Sequence, residues 1–443
     1  MKRIRLWVLL FAVFSNPALF AQVDRANVTG TIHDPTGAAV GGASITVTYP
    51  ATGVNRSTAS NEVGVYFIAS LPVGAAVISV VDPGFRTIRA ETDLKVGETK
   101  TLDFSFELAN IENSVEVVAD QELARSMIAI GSSLDSKTLS EIPINGRNWG
   151  NLMALTPGAV DTGAGNGTSV RFLGRGPDDN NYRVDGVDAT SVRNQTQSKS
   201  RLLISADAIS EFRVSSGMYT AETGGAPGGQ VEIASKAGAN EVHGSIFEYF
   251  RNSALDSRSP FDGATLPPFR LNQFGGTAGG PLKRDRTFFF ASYEGLVQSQ
   301  GQTQIGFVPS DSFRAGVAPA LKPILDVYPE GQKVVNANVM QWTGVASATQ
   351  NEHVGLIRVD HRFTDKLSGY FRFSKNSTDI FAPNPALPVG THNFDAPTSG
   401  LFDFLYLPSP VTTNELRIGA NYSEPLHSRV SGGPNIAVSV PSL

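Results

Sequence analysis

Three observations predict a mainly β protein. Short runs that alternate apolar and polar residues recur between turns, in a chain holding 44 Gly and 26 Pro among 443 residues; that alternation is the period of a half-buried strand. Beyond the first residues, no apolar run approaches the roughly 20 residues a membrane-spanning helix needs. After Glu241 the runs lengthen and keep one greasy and one polar face. The chain is 41% hydrophobic and only 17% charged, too apolar to be disordered and too long for one ordinary domain, so two or three folded units are expected. A net charge of −5 with no basic patch argues against nucleic acid as a partner. Cysteine is absent, which excludes a disulfide framework and a thiolate metal site.

Residues 1–21 read as an export signal. Lys2, Arg3 and Arg5 precede the apolar run from Leu6 to Phe14, Asn16-Pro17 breaks it, and Ala21 offers a cleavage point, although Leu19 stands where a small residue is usual. The run is too short to span a bilayer comfortably as a helix.

Residues 24–110 are expected to form a small β-sandwich. Val28 to Ile32 leads into the turn Asp34-Pro35-Thr36-Gly37, and Ala43 to Thr48 alternates small or apolar with polar positions. Turns at Asn61-Glu62-Val63-Gly64, at Leu71-Pro72-Val73-Gly74 and at Pro83-Gly84 then punctuate further strands, and Leu102 to Leu108 closes the set. Short strands at regular turn spacing indicate two packed sheets.

Residues 112–119 carry Ser114-Val115-Glu116-Val117-Val118, a short β-prone run with polar flanks. Such a run suits strand addition to a partner's sheet edge, and it equally suits a last sandwich strand or a linker. Residues 124–240 mix a short helix from Leu134, ended near Pro143, with a turn at Asn145-Gly146-Arg147-Asn148 and three strand-like runs. These are Val170 to Gly176, Asn180 to Asp188 across a polar turn, and Ile209 to Val214; a glycine-rich turn then leads into Gln230 to Ser235.

Several chemistries are set aside. Gly163 to Ser169 lacks the Lys-Ser/Thr ending of a phosphate-cradling loop. Asp178, Asp179, Asp185 and Asp188 do not have calcium-loop spacing, and His353 with His361 lacks a third ligand, so no metal is expected. Arg147, Arg171 and Arg175 are read as ion-pairing residues of structural purpose. There is no His-Glu-x-x-His pair and no Gly-x-Ser-x-Gly elbow, so no catalytic residue and no cofactor are assigned.

From Glu241 onward the strands are two-faced. Arg358, Asp360 and Arg362 lie opposite Ile357, Val359, His361 and Phe363; after a turn at Thr364-Asp365-Lys366, Leu367, Gly369, Phe371 and Phe373 alternate with Ser368, Tyr370, Arg372 and Ser374. Leu416, Ile418, Ala420 and Tyr422 alternate with Glu415, Arg417, Gly419 and Asn421. Lipid on one side and a wet lumen on the other require this pattern, and a soluble sandwich shows it too. Residues 253–267, 310–350 and 376–397 read as loops, leaving about six to eight strands on the dyad criterion.

Asp185-Gly186-Val187-Asp188 and the later stretch from Gly224 through Gln230-Val231-Glu232-Ile233-Ala234-Ser235 to Gly244 together carry a resemblance. They resemble the end of the plug domain, and its hand-over to the first barrel strand, in TonB-dependent outer-membrane transporters of the Oar-like type. The preceding pieces match the plug pattern in order, which makes Asn145, Gly146, Arg147, Arg175, Asp185, Gly186 and Asp188 its motif residues by resemblance. Residues 24–110 resemble the carboxypeptidase regulatory-like domain, a transthyretin-like β-sandwich of about seven strands. Residues 112–119 resemble the TonB box, which makes the TonB energy-coupling complex of the inner membrane the implied partner. Arg270 to Gly276 and Phe288 to Glu294 resemble the second and third barrel strands. The resemblance thus implies a sandwich, a small α+β plug domain over 124–240, and in residues 241–443 the first strands of an antiparallel transmembrane β-barrel. A plugged barrel has about 22 strands, more than this stretch holds, so the barrel is expected to be incomplete.

Outer-membrane lipid and an unidentified extracellular substrate are the other implied partners, with the sandwich and plug facing the periplasm. The competing function is a surface binding or adhesion protein that transports nothing. An adhesin needs neither a plug nor a TonB box, and that difference separates the two.

Overall fold

The computed structural model describes residues 25–108, 130–142, 147–162, 170–190, 203–217, 225–258, 266–384, 389–409, 412–424 and 426–431. The signal-like segment and residues 112–119 lie outside these described residues. The chain divides into two compact units, one of residues 1–199, 209–235 and 406–414, the other of residues 200–208, 236–405 and 415–443.

The first unit opens with eight strands: β1 (Ala26–His33), β2 (Ser44–Tyr49), β3 (Val54–Ala59), β4 (Val65–Leu71), β5 (Gly74–Val81), β6 (Ile88–Leu94), β7 (Thr99–Thr101) and β8 (Phe104–Ser105). They form two sheets. One has the order β4-β1-β7 with β8 also on β1, and the other β3-β2-β5-β6. Alternation along β1 and β5 buries Val28, Ile32, Ile78 and Val80 in a common core with Tyr66, Phe104 and Phe106. The turn at Asp34 forms as its residues require: Asp34 Oδ1 accepts from the Thr36 and Ala38 N–H groups at 2.8 and 2.9 Å, and its bonds to Thr36 and Ala38 hold its carboxyl below the usual carboxylate range. Only Phe104–Ser105 of the expected last strand pairs as a strand, yet Leu102, Phe104 and Phe106 all point into the core.

Gly30 makes the sheet contact possible. A methyl there would lie 1.8 Å from the Leu102 carbonyl oxygen, the atom that accepts the buried Tyr66 hydroxyl at 2.8 Å. Gly30→Ala is therefore expected to lower the unfolding midpoint of an expressed 24–110 segment, by about 2 kcal/mol of overpacking. Denaturant titration followed by β-type circular dichroism is the check.

The plug region follows: β9 (Ile130–Asp135), α1 (Ser136–Glu141), β10 (Ala159–Asp161), β11 (Val170–Phe172), β12 (Asn181–Val184), β13 (Val187–Asp188), β14 (Ile209–Gly217) and β15 (Gln230–Ser235). Its main sheet has the order β13-β12-β15-β14-β9, with β12 and β15 parallel and the other pairs antiparallel. The fold is α+β, as expected: α1 follows β9 directly, and Trp149 of the 3-10 helix Trp149–Leu155 packs on Tyr182 and Phe212 of the sheet.

The second unit is a ten-stranded antiparallel sheet: β16 (His243–Asn252), β17 (Phe269–Lys283), β18 (Thr287–Pro309), β19 (Lys333–Val334), β20 (Val339–Arg362), β21 (Leu367–Pro383), β22 (Val389–Asp395), β23 (Thr398–Ser409), β24 (Thr412–Tyr422) and β25 (Leu426–Ser431). Among the described residues it is open, with β16 paired to β17 alone. Arg372, Ser374, Asn376, Ser399 and Asp403 are buried on one face, whereas Ile357, Phe402, Phe404, Leu416 and Ile418 are exposed on the other. Phe371 packs on Phe402 and Phe363 on Phe404 across this outer face.

Two expected loops are corrected. Strand β20 starts at Val339 and pairs with β18 out to Pro309↔Val339, and β21 and β22 occupy residues 376–383 and 389–395. The strands of 23 and 24 residues outrun the roughly 9–11 residues that cross a bilayer. Residues 298–304 are Gln, Ser, Gly and Thr only, yet the pairing of β18 with β20 continues through them to Pro309.

Candidate functional site

The motif residues of the plug are placed by one hairpin. Val184 pairs with Val187, leaving Asp185-Gly186 as a two-residue loop with φ values of 48° and 75°, the geometry of a type I′ turn that Asp-Gly favours. The turn is not solvent-facing at Asp185, which is 1% exposed. Its two carboxyl oxygens accept from the Ser235 N–H at 2.8 Å and the Ser235 hydroxyl at 2.9 Å, and its own N–H donates to Ile233 O at 2.8 Å. Asp188 Oδ1 accepts from Thr190 N at 3.0 Å. The motif therefore ties the β12–β13 hairpin to the end of β15.

One face of the sheet is its core. Tyr182, Val184, Phe212, Val214, Val231 and Ile233 are buried there, with Trp149 packed on Tyr182 and Phe212 at centroid distances of 6.5 and 5.7 Å. Burial pushes the Tyr182 hydroxyl up to about 12. The opposite face carries a row of registered partners across the strands, Asp188, Arg183, Glu232, Arg213 and Ser133. Charges alternate along that row, the arrangement in which cross-strand neighbours attract.

Of the other predicted motif residues, Arg147 is half-buried with φ 52°, and Asn145 and Gly146 lie outside the described residues. Arg171 and Arg175 are exposed. Asn180 and Asn181, read in the sequence only as part of a polar run, do more. Asn180 Oδ1 accepts from Gly229 N at 2.9 Å while its Nδ2 donates to Val170 O, and Asn181 Nδ2 donates to Gln230 Oε1, both also at 2.9 Å. The glycine-rich turn is explained at Gly229, where a methyl would meet the Phe172 ring at 2.3 Å. Paired amides before a strand are a weak signal, and their hydrogen bonds could not be read from the sequence.

The same holds for Glu211. It is 5% exposed, and its oxygens accept from the Ser133 hydroxyl at 2.6 Å and from the Val96 N–H at 2.7 Å. Burial pushes its carboxyl above the usual 4.5, outweighing these bonds and Arg213. A raised folded-state value means stability that is fully present below 4.5 and is lost as pH climbs through the raised value. Glu211→Gln is expected to flatten that slope, as read by unfolding midpoints between about pH 4 and 7.

In the second unit, segment 203–208 is pinned to the strands. The Ser205 hydroxyl donates to Glu294 Oε2, Gln273 Nε2 to Glu294 Oε1 at 2.6 Å, and Asn376 Nδ2 to Leu203 O at 2.8 Å. Asp403 and Glu415 both meet Arg417 on the polar face. Among the described residues no group of three His, Asp or Glu side chains is placed to hold a metal, and no helix is long and apolar enough to cross a membrane.

A sandwich, an α+β plug sheet and long two-faced antiparallel strands define an outer-membrane receptor with a plug. Sequence comparison agrees segment by segment: a carboxypeptidase regulatory-like domain matches residues 27–107, the TonB-dependent receptor plug domain residues 124–230, and an outer membrane beta barrel domain residues 234–319 and 316–439. The chain thus carries, in order, the domains of a TonB-dependent receptor of the outer membrane, with the plug on the periplasmic side. It is similar to the TonB-dependent transporter Oar of Myxococcus xanthus, 24% identical over 266 residues, which cover 56% of this chain and 24% of that protein. It thus spans about a quarter of the length of the curated relative it matches. Among solved structures, the outer membrane transporter YddB from Escherichia coli aligns with TM-score 0.48 at 12% identity, over 66% of this chain and 38% of that one. P. aeruginosa FpvA aligns with TM-score 0.42 at 14% identity, over 70% and 44%.

Proposed function

We infer that this chain serves TonB-coupled uptake of an extracellular substrate through an outer-membrane barrel, and that it has no catalytic role. The observation that carries the reading is the plug sheet closed by the buried Asp185–Ser235 bonds, set in sequence between a periplasmic sandwich and lipid-facing strands. In this reading the TonB energy-coupling complex takes hold of residues 112–119, with Ser114, Val115, Glu116, Val117 and Val118 adding as a strand to its sheet edge. The pull rearranges the plug and opens a path for a substrate held at the long extracellular connections. Asn145, Gly146, Arg147, Arg175, Asp185, Gly186 and Asp188 keep the plug in its closed form. Outer-membrane lipid meets the face of Phe402, Leu416 and Ile418.

Strand addition rests on backbone hydrogen bonds, so Val117→Pro removes a donor and fixes φ, whereas Val117→Ala keeps both backbone groups. Uptake and surface binding of the same substrate, measured side by side in the whole protein, test the reading. Val117→Pro should abolish uptake and leave binding near the parent level, with Val117→Ala close to normal in both. Equal uptake by the two variants would move the reading to a surface adhesin.

A further inference from the structure

The sandwich meets the plug at the turn between β6 and β7. Val96 sits in this turn, where Glu98 N donates to Lys95 O at 3.1 Å and Gly97 has φ 64°, a type II turn with Val96 at its second position. Its side chain is 1% exposed, yet it is not a member of the sandwich core cluster; the burial comes from elsewhere. Both of its backbone groups are taken by side chains of one plug strand. Glu211 accepts the Val96 N–H at 2.7 Å, and the Arg213 guanidinium donates to the Val96 carbonyl. Residues 211 and 213 are two apart on β14 and share a face, so they present an acceptor and a donor with the spacing of a strand edge.

The same Glu211 also accepts the hydroxyl of Ser133 on β9. That strand is the edge of the plug sheet and the first plug element after residues 109–129, while Leu108, the last described residue of the sandwich, is bridged to Phe85. The two ends of the 109–129 segment are therefore held by bodies joined at one carboxyl group. Besides Arg213, the charged groups acting on that corner are Asp93 on Glu211 and Lys95 on Asp135.

We propose that the sandwich is latched to the plug sheet by the Glu211 and Arg213 grip on Val96, so that sandwich and plug move as one body. The latch stands on the contacts between sandwich and plug and holds whether or not TonB binds residues 112–119.

This chain has no cysteine, so nitroxide labels placed in it have no background from its own residues. Labels at exposed Ser57→Cys and Arg171→Cys report the sandwich-to-plug distance, and labels at exposed Ser57→Cys and Glu91→Cys report the sandwich alone. Val96→Pro keeps a residue favoured at this turn position and deletes only the N–H that Glu211 takes; Glu211→Ala opens the latch from the plug side. The parent should give one narrow sandwich-to-plug distance, and both variants several, with the distance inside the sandwich unchanged. A broad sandwich-to-plug distribution in the parent, or a narrow one that persists in Glu211→Ala, overturns the latch. So does a sandwich distance that broadens in Glu211→Ala, since that residue would then be supporting the sandwich fold itself.

Discussion

Asp185→Ala is expected to destabilise the plug by about 3 kcal/mol, enough to expose it to protease in the assembled protein. The substitution strands the Ser235 N–H and hydroxyl without the acceptors that they meet at 2.8 and 2.9 Å, at a position that is 1% exposed. An unpaired buried donor costs about 1–3 kcal/mol, and alanine tolerates the φ of 48° less well than aspartate. Asp185→Asn keeps an acceptor and the turn preference, so it should lose much less. Trypsin digestion of outer-membrane preparations, with fragments mapped by mass, distinguishes the two; parent-like resistance of Asp185→Ala would show that the hairpin does not hold the plug closed.

The second large effect is expected on the lipid face. Phe402 is 49% exposed on the outer side of β23 and packs on Phe371 with ring centroids 4.7 Å apart. Phe402→Arg removes that pair and sets a cation toward hydrocarbon, at about 2–4 kcal/mol near the bilayer midplane. Glu415→Gln on the polar face should be nearly silent in assembly, because substitutions there tune the lumen and leave the lipid contact alone. The difference in gel mobility between heated and unheated samples reports the folded barrel; Phe402→Arg should lose most of the folded band and Glu415→Gln keep it.

Much of this architecture is legible in the residues. The alternation of Ile357, Val359 and Phe363 with Arg358, Asp360 and Arg362 identifies a strand with two unlike faces, and Asp185-Gly186 between paired valines identifies a tight hairpin. In both cases the information is local: a period of two, or a residue pair that tolerates positive φ. Polar strand extensions carry no such period. Residues 339–350 read as a loop because small residues such as Gly344, Ala346 and Ala348 blur the alternation, and only the β18 ladder shows that they pair.

The sandwich strands, the plug hairpin and the lipid-facing strands are thus determined by the sequence itself, since each depends on neighbours within a few positions. Which residues act together is decided by tertiary structure. Glu211 looks like one more charge on an exposed strand until the fold brings Ser133 and Val96, distant in sequence, against its two oxygens. Asp185 looks like a solvent-facing turn residue until Ser235 closes over it. In both cases burial turns an ordinary carboxyl group into a structural joint, because a polar group removed from water must find its partners inside the protein. Those partners are chosen by the path of the chain in space, which no local pattern records.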